Sequence, residues 1–215
     1  MSTSPVRIEG DLTPPLSRWL WLVKWLLLIP HFICLIVLGI GFVLSTIAVF
    51  FVLLVTGRYP RGLFGFNVGV MRWAWRVSFY GYSALATDRY PPFSLADDPG
   101  YPARLDVAYP ERQRRGLPLI GWWLLGFPQY GIAGLFASAG VGFTHGWGRY
   151  ESAGLTGTLM FVVAMLLLFK KTYRQDVFDF VMGVNRWAYR VAAYATFMTP
   201  EYPPFRFDAG SREPS

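Results

Sequence analysis

The sequence predicts an all-α integral membrane protein made of two tandem repeats. Each repeat reads as a transmembrane helical hairpin followed by an amphipathic interfacial helix, with short cytoplasmic β-strands beside them. Three observations predict this: the composition, the uncharged runs, and an internal repeat. Of 215 residues, 53% are hydrophobic and only 15% charged, whereas soluble domains carry about 25% charged residues. No Asp, Glu, Lys or Arg occurs from Trp25 to Thr56, from Gly116 to Gly148, or from Ser152 to Phe169. About 20 apolar residues cross a bilayer as a helix. The N-terminal run is too long for a cleaved signal and follows a polar stretch. One Cys excludes an intrachain disulfide framework.

The repeat is read by laying the halves over each other. Pro5-Val6-Arg7-Ile8-Glu9 matches Pro102-Ala103-Arg104-Leu105-Asp106, an offset of 97. Ile29-Pro30-His31-Phe32 matches Phe127-Pro128-Gln129-Tyr130, an offset of 98. Gly69-Val70-Met71-Arg72-Trp73 matches Gly183-Val184-Asn185-Arg186-Trp187, an offset of 114. Tyr90-Pro91-Pro92-Phe93 matches Tyr202-Pro203-Pro204-Phe205, an offset of 112. The jump from 98 to 114 is an insertion of 16 residues in the second half, around Thr144 to Thr158.

The elements follow in order. Val6–Glu9 and Arg104–Tyr109 alternate apolar and polar residues, so each reads as a brief strand, able to pair with the other. The first repeat, 1–98, holds the hairpin at about 17–57, with Gly39-Ile40-Gly41 as its turn. An alternative places one span near 31–56, with residues 17–29 as an interfacial helix. Residues 62–86 carry Leu63, Phe66, Val70, Trp73, Val77 and Tyr80 at helical spacing. Arg72 and Arg76 are expected opposite that stripe. Tyr-Pro-Pro-Phe then makes a stiff extended exit. The second repeat, 99–208, has spans at about 117–143 and 155–169 around the polar insertion, and an interfacial helix at about 176–196. Residues 209–215 form a tail. On the hairpin reading, one side of the membrane holds 19 of the 20 Lys and Arg residues, which places that side and both termini in the cytoplasm. Residues 144–154 then lie outside.

Candidate sites are few. Arg58, Arg61, Arg72, Arg76, Lys170, Lys171, Arg186 and Arg190 form a basic belt. It either contacts anionic lipid headgroups or anchors the helices by snorkelling to water. Gly134, Ser138 and Gly142 recur every four residues and would let another helix approach closely. Pro30 with His31, and Pro128 with Gln129, mark kinks. His31 has Gln129 as its counterpart, so no imidazole chemistry is repeated. Cys34 reads as packing. No Ser-His-Asp set, zinc motif or phosphate loop occurs, so no enzyme activity, cofactor or metal site is expected. The net charge of +7 fits a cytoplasmic bias and anionic lipid better than nucleic acid.

The strings Thr56-Gly57-Arg58-Tyr59-Pro60-Arg61-Gly62-Leu63-Phe64, Asn67-Val68-Gly69-Val70-Met71-Arg72-Trp73 and Asp88-Arg89-Tyr90-Pro91-Pro92-Phe93 resemble a bacterial membrane family known as domain of unknown function 4389. Tyr101 to Arg112 resembles the opening of the same domain again, so residues 5–207 read as two copies. In the second copy Lys170-Lys171-Thr172-Tyr173-Arg174-Gln175 replaces the Thr-Gly-Arg-Tyr-Pro-Arg string. The resemblance implies a bacterial inner-membrane protein and supplies no catalytic residue. The expected function is a non-enzymatic accessory or scaffold holding anionic lipid, a protein partner or a second copy at the cytoplasmic interface. The alternative is a subunit of an oligomeric transporter or channel.

Overall fold

The computed structural model describes residues 4–17, 19–111, 113, 142–145, 149–152, 174–204, 208 and 210. In chain order the described elements are β1 (Val6–Gly10), α1 (Leu20–Leu27), α2 (Ile29–Thr56), α3 (Arg61–Tyr80), β2 (Ala103–Val107), β3 (Gly142–His145), β4 (Arg149–Ser152) and α4 (Gln175–Ala195). The fold is mostly helical, and α2 is long and apolar enough to cross a membrane.

The two repeat-opening strands do pair. β1 and β2 are antiparallel, with Ile8 opposite Leu105, Arg7 opposite Asp106 and Glu9 opposite Arg104. Ile8 and Leu105 are equivalent positions of the two repeats, so the pairing is a local two-fold arrangement. Its apolar side chains alternate inward: Val6, Ile8, Ala103, Leu105 and Val107 are all buried. Both α3 and α4 pack under this face. The equivalent residues Trp75 and Tyr189 meet edge to face, with centroids 5.4 Å apart. The two-fold recurs in the backbone. Leu85 and Phe197, also equivalent, are the two described non-glycine residues with positive φ, at 52° and 61°.

The first repeat departs from the expected hairpin. α2 runs unbroken through Gly39-Ile40-Gly41, and neither glycine has a positive φ. An apolar helix that satisfies its own backbone gains nothing from an exposed turn in lipid. Gly41 instead gives close approach: a Cβ there would lie 3.2 Å from Phe66 of α3. The repeat therefore follows the single-helix alternative, α1 and then α2. They part at Leu28, just before Pro30 at the second position of α2. Proline lacks an N–H and its ring crowds the preceding turn, so a break falls there. At the other end Gly57 takes φ 68° as the left-handed cap.

The polar insertion of the second half carries strand structure. Gly142 to His145 pair with Arg149 to Ser152 as an antiparallel hairpin, β3 with β4. Gly142 thus stands in a strand and cannot continue a helical stripe of small residues. Gly134, Ser138, Pro128, Gln129, Lys170 and Lys171 lie outside the described residues, as do the bodies of both second-repeat spans.

Candidate membrane-facing site

α2 buries only His31, Ser45, Val49 and Leu53. These recur along one stripe that packs on α3. Residues beside the stripe are half-buried, and the opposite face is exposed and apolar, with Ile36 and Val37 at 65% and Val55 at 73%. A core helix of a soluble protein would bury most of that surface. α1 continues the pattern, exposing Trp19, Leu22, Val23, Trp25 and Leu26. Its one charge, Lys24, turns inward to 2% exposure. There it donates to the Thr87 carbonyl at 2.6 Å, pairs with Asp88 at 3.2 Å and lies over the Tyr80 ring. Burial lowers the Lys24 pKa, and Asp88 opposes that shift. The outer face of α1 is thereby freed of charge.

Three devices fix this face to the lobe behind it. At the α1–α2 junction, Tyr90 donates to the Leu27 carbonyl at 3.0 Å, and Phe93 stacks on His31 at 3.9 Å. The Tyr-Pro-Pro-Phe exit is therefore a clasp on the junction. Trp73 Nε1 donates to His31 Nδ1 at 3.0 Å, which leaves the proton of the neutral ring on Nε2. Midway along α2, Ser45 Oγ donates to Asn67 Oδ1, and Asn67 Nδ2 donates to Tyr59 Oη at 2.9 Å. Burial raises the Tyr59 hydroxyl to about 12 against the Asn67 hydrogen bond. Sequence reasoning missed this network; its signal was a hydroxyl on the side of a charge-free helix and an Asn in the following helix.

The arginines are placed otherwise than expected. Arg76, Arg186 and Arg190 are buried at 1%, 0% and 3%, not turned to a headgroup layer. Arg72 is half-buried. The reason is the sheet: α3 lies between β2 and α2, and α4 packs on β1, so the side of each helix that carries arginine meets protein. Arg72 Nε donates to the Leu105 carbonyl at 2.9 Å, and Arg186 donates from Nε and Nη2 to the Ile8 carbonyl at 3.1 and 3.0 Å. Each helix thus clamps the strand of the other repeat at equivalent carbonyls. Arg76 donates to the Ser94 and Ala96 carbonyls. Arg186 also donates to the Asp208 and Gly210 carbonyls, and Arg190 pairs with the Asp208 carboxylate at 2.6 Å. Burial lowers the Arg76 pKa, with Arg72 adding to the shift. Only Arg58 and Arg61 of the described belt stay exposed, and Arg61 lies over the Tyr109 ring.

Cavities add little chemistry. Two polar ones, of about 290 and 370 Å³, sit at equivalent places, one by Thr199, Glu201 and Pro5, the other by Thr87, Arg89 and Pro102. An apolar one of about 540 Å³ opens between α2 and the end of α4, beside Phe42, Phe50 and Phe197. Among the described residues, no group of three His, Cys, Asp or Glu is placed to hold a metal.

A strand pair and two helices related by a local two-fold, carrying a long exposed apolar helix, define a two-repeat helical protein with a lipid-compatible face. The chain belongs to the family Domain of unknown function (DUF4389), which matches residues 18–94 and 152–206, two segments consistent with two tandem copies. No curated protein and no solved structure matches it.

Proposed function

We propose that this protein is a non-enzymatic accessory or scaffold anchored in the bacterial cytoplasmic membrane, with its polar lobe in the cytoplasm. The observation that carries the reading is the outer face of α1 and α2, charge-free and exposed over its whole length. Contiguous apolar faces of this size belong to membrane or protein interfaces. Supporting it, the buried charged groups behind that face are bound to the protein's own carbonyls and carboxylates. Of these, Arg186 joins the two repeats through the Ile8 carbonyl, as Arg72 does through that of Leu105, while the others tie each repeat to itself. The net charge of +7 fits anionic lipid. Arg58 and Arg61 are the described basic residues of the belt with exposed side chains, and they replace the helix arginines as the proposed headgroup contacts.

The test is crosslinking of the chain in native membranes followed by purification in mild detergent. A defined protein partner, or a second copy of the chain, recovered in stable ratio supports the scaffold reading. A chain released by alkaline washing, with no crosslinked species, contradicts it.

A further inference from the structure

We infer that α1 and α2 lie in the plane of the membrane, on one leaflet, and that α2 does not cross the bilayer. The occupant of their outer face is then a lipid surface lying along the full length of the helix. This deepens the membrane reading above and rests on it.

The first argument is the position of the lobe. At one end of α2, Leu28 packs with Trp73, Val77 and Tyr80. At the other, Val49 and Leu53 belong to the core that includes Ile8, Leu105 and Trp75. Leu28 to Leu53 is about 38 Å of helix at 1.5 Å per residue, against about 30 Å of hydrocarbon. The lobe therefore flanks α2 along its length and does not sit at one end of it. An upright α2 would carry the lobe into the bilayer beside it.

The second argument is what the lobe exposes. Arg7, Arg104 and Asp106 face outward from the β1–β2 pair, and the Asp97 and Asp106 side chains are 55% and 74% exposed. Each charge at the centre of a bilayer costs about 2.5–3.5 kcal/mol on an insertion scale. Laid flat, the same molecule has α2 in the lipid, α3 above it and the charged strands above that, two packing layers away in water.

The third argument is the two-fold. For an antiparallel pair in register at equivalent residues, Ile8 with Leu105, the axis runs perpendicular to the sheet. It continues between α3 and α4 past the Trp75–Tyr189 contact. Two repeats that present like faces to one membrane need this axis along the membrane normal. α2 packs lengthwise on α3, across that axis, and so lies in the plane. Trp19, Trp25, Tyr82 and Tyr90, all exposed at the α1 end, are the residue types found at the headgroup boundary.

The experiment is a depth profile by spin labelling. In the full chain with Cys34→Ala, single cysteines replace Ile33, Ile40, Val43, Ile47 and Val55. Each labelled protein is bound to vesicles of phosphatidylethanolamine and phosphatidylglycerol, and depth is read from collision with oxygen and with a water-soluble nickel chelate. The in-plane helix predicts nearly equal depths, about 5–10 Å below the headgroups. A profile deepest at Val43 and shallow at Ile33 and Val55, which are about 33 Å apart along the helix, overturns the in-plane placement while keeping the membrane reading. Labels shielded from both reagents mean that protein covers the face, and overturn it too. Failure of the protein to float with the vesicles contradicts the membrane reading itself.

Discussion

Arg186 is the residue on which the two repeats depend most. It bonds the Ile8 carbonyl of the opposite repeat, the Asp208 carbonyl of its own and the Gly210 carbonyl of the tail. Each buried carbonyl left without a donor costs about 1–3 kcal/mol. Arg186→Gln is expected to lower the melting temperature in detergent by roughly 5–10 °C, at about 2–4 °C per kcal/mol for a chain of this size. Arg58→Gln and Arg61→Gln, at exposed positions, should leave it within about 2 °C of wild type. Thermal unfolding followed by circular dichroism separates the two groups. If Arg186→Gln melts with the exposed variants, the clamp is not structural.

Lys24 makes a second residue-scale prediction through pH. Its pKa is lowered below the ordinary lysine value of 10.5, chiefly by burial. Between that lowered value and 10.5 the unfolded chain binds more protons than the folded one. Stability therefore rises with pH through this window. The Lys24→Met variant should lack the rise. Asp88→Asn removes the group that holds Lys24 charged, so the rise should begin at lower pH. It should also destabilise at neutral pH more than Lys24→Met/Asp88→Asn together, because a lone buried charge costs more than its removal with its partner. Denaturant midpoints measured from neutral pH upward give both outcomes.

At the scale of elements, α3 shows how spacing alone under-determines a helix. Its apolar stripe was legible at Leu63, Phe66, Val70, Trp73, Val77 and Tyr80, and that face does pack on α2. The other face was read as polar because it carries Arg72 and Arg76. No pattern within the helix announces that a strand of the other repeat supplies the Leu105 carbonyl to Arg72, or that the segment after the helix folds back with the Ser94 and Ala96 carbonyls for Arg76. Likewise, the glycines at 39 and 41 look alike as a turn or as a packing groove; in the fold both continue the helix, Gly41 against Phe66 and Gly39 with nothing within 4 Å. The strands, by contrast, were readable from alternation over a few residues, and their pairing from the repeat. The glycines of α3 turn this contrast into a test. A Cβ at Gly65 meets nothing within 4 Å, whereas one at Gly69 would lie 2.9 Å from the Leu95 Cβ and 3.1 Å from its carbonyl oxygen. Gly65→Ala should stabilise by about 0.5–1 kcal/mol through helix propensity, and Gly69→Ala should destabilise by about 1–3 kcal/mol through overpacking. Opposite shifts in denaturant midpoint are expected; equal shifts would mean that the 89–98 segment does not press on α3.

For the whole molecule, the account separates a lobe from the face it presents. The lobe is held by cross-repeat arginines, a shared core and the two-fold of β1 with β2. The face is α1 and α2, whose outer residues contribute little to that core. The uncharged run from Trp25 to Thr56 made the lipid-compatible element legible in the sequence, because charge is the feature a bilayer selects against. The direction in which that element lies was not legible, since length and hydropathy are the same for a helix that crosses a membrane and one that rests in it.

The most direct measurement of the central claim is vesicle flotation of the folded protein with Ile36→Asp, Val43→Asp and Ile47→Asp, singly and together, beside wild type. These side chains are exposed on α2 at 65%, 57% and 51%, so the lobe should keep its melting behaviour. Each buried charge costs about 2.5–3.5 kcal/mol at the bilayer centre and less nearer the headgroups. The single variants are expected to bind phosphatidylethanolamine–phosphatidylglycerol vesicles at least about tenfold more weakly, and the triple variant is expected to stay unbound at the bottom of the gradient. Triple-variant protein that is folded and floats as well as wild type would contradict the claim that the outer face of α2 is the membrane contact.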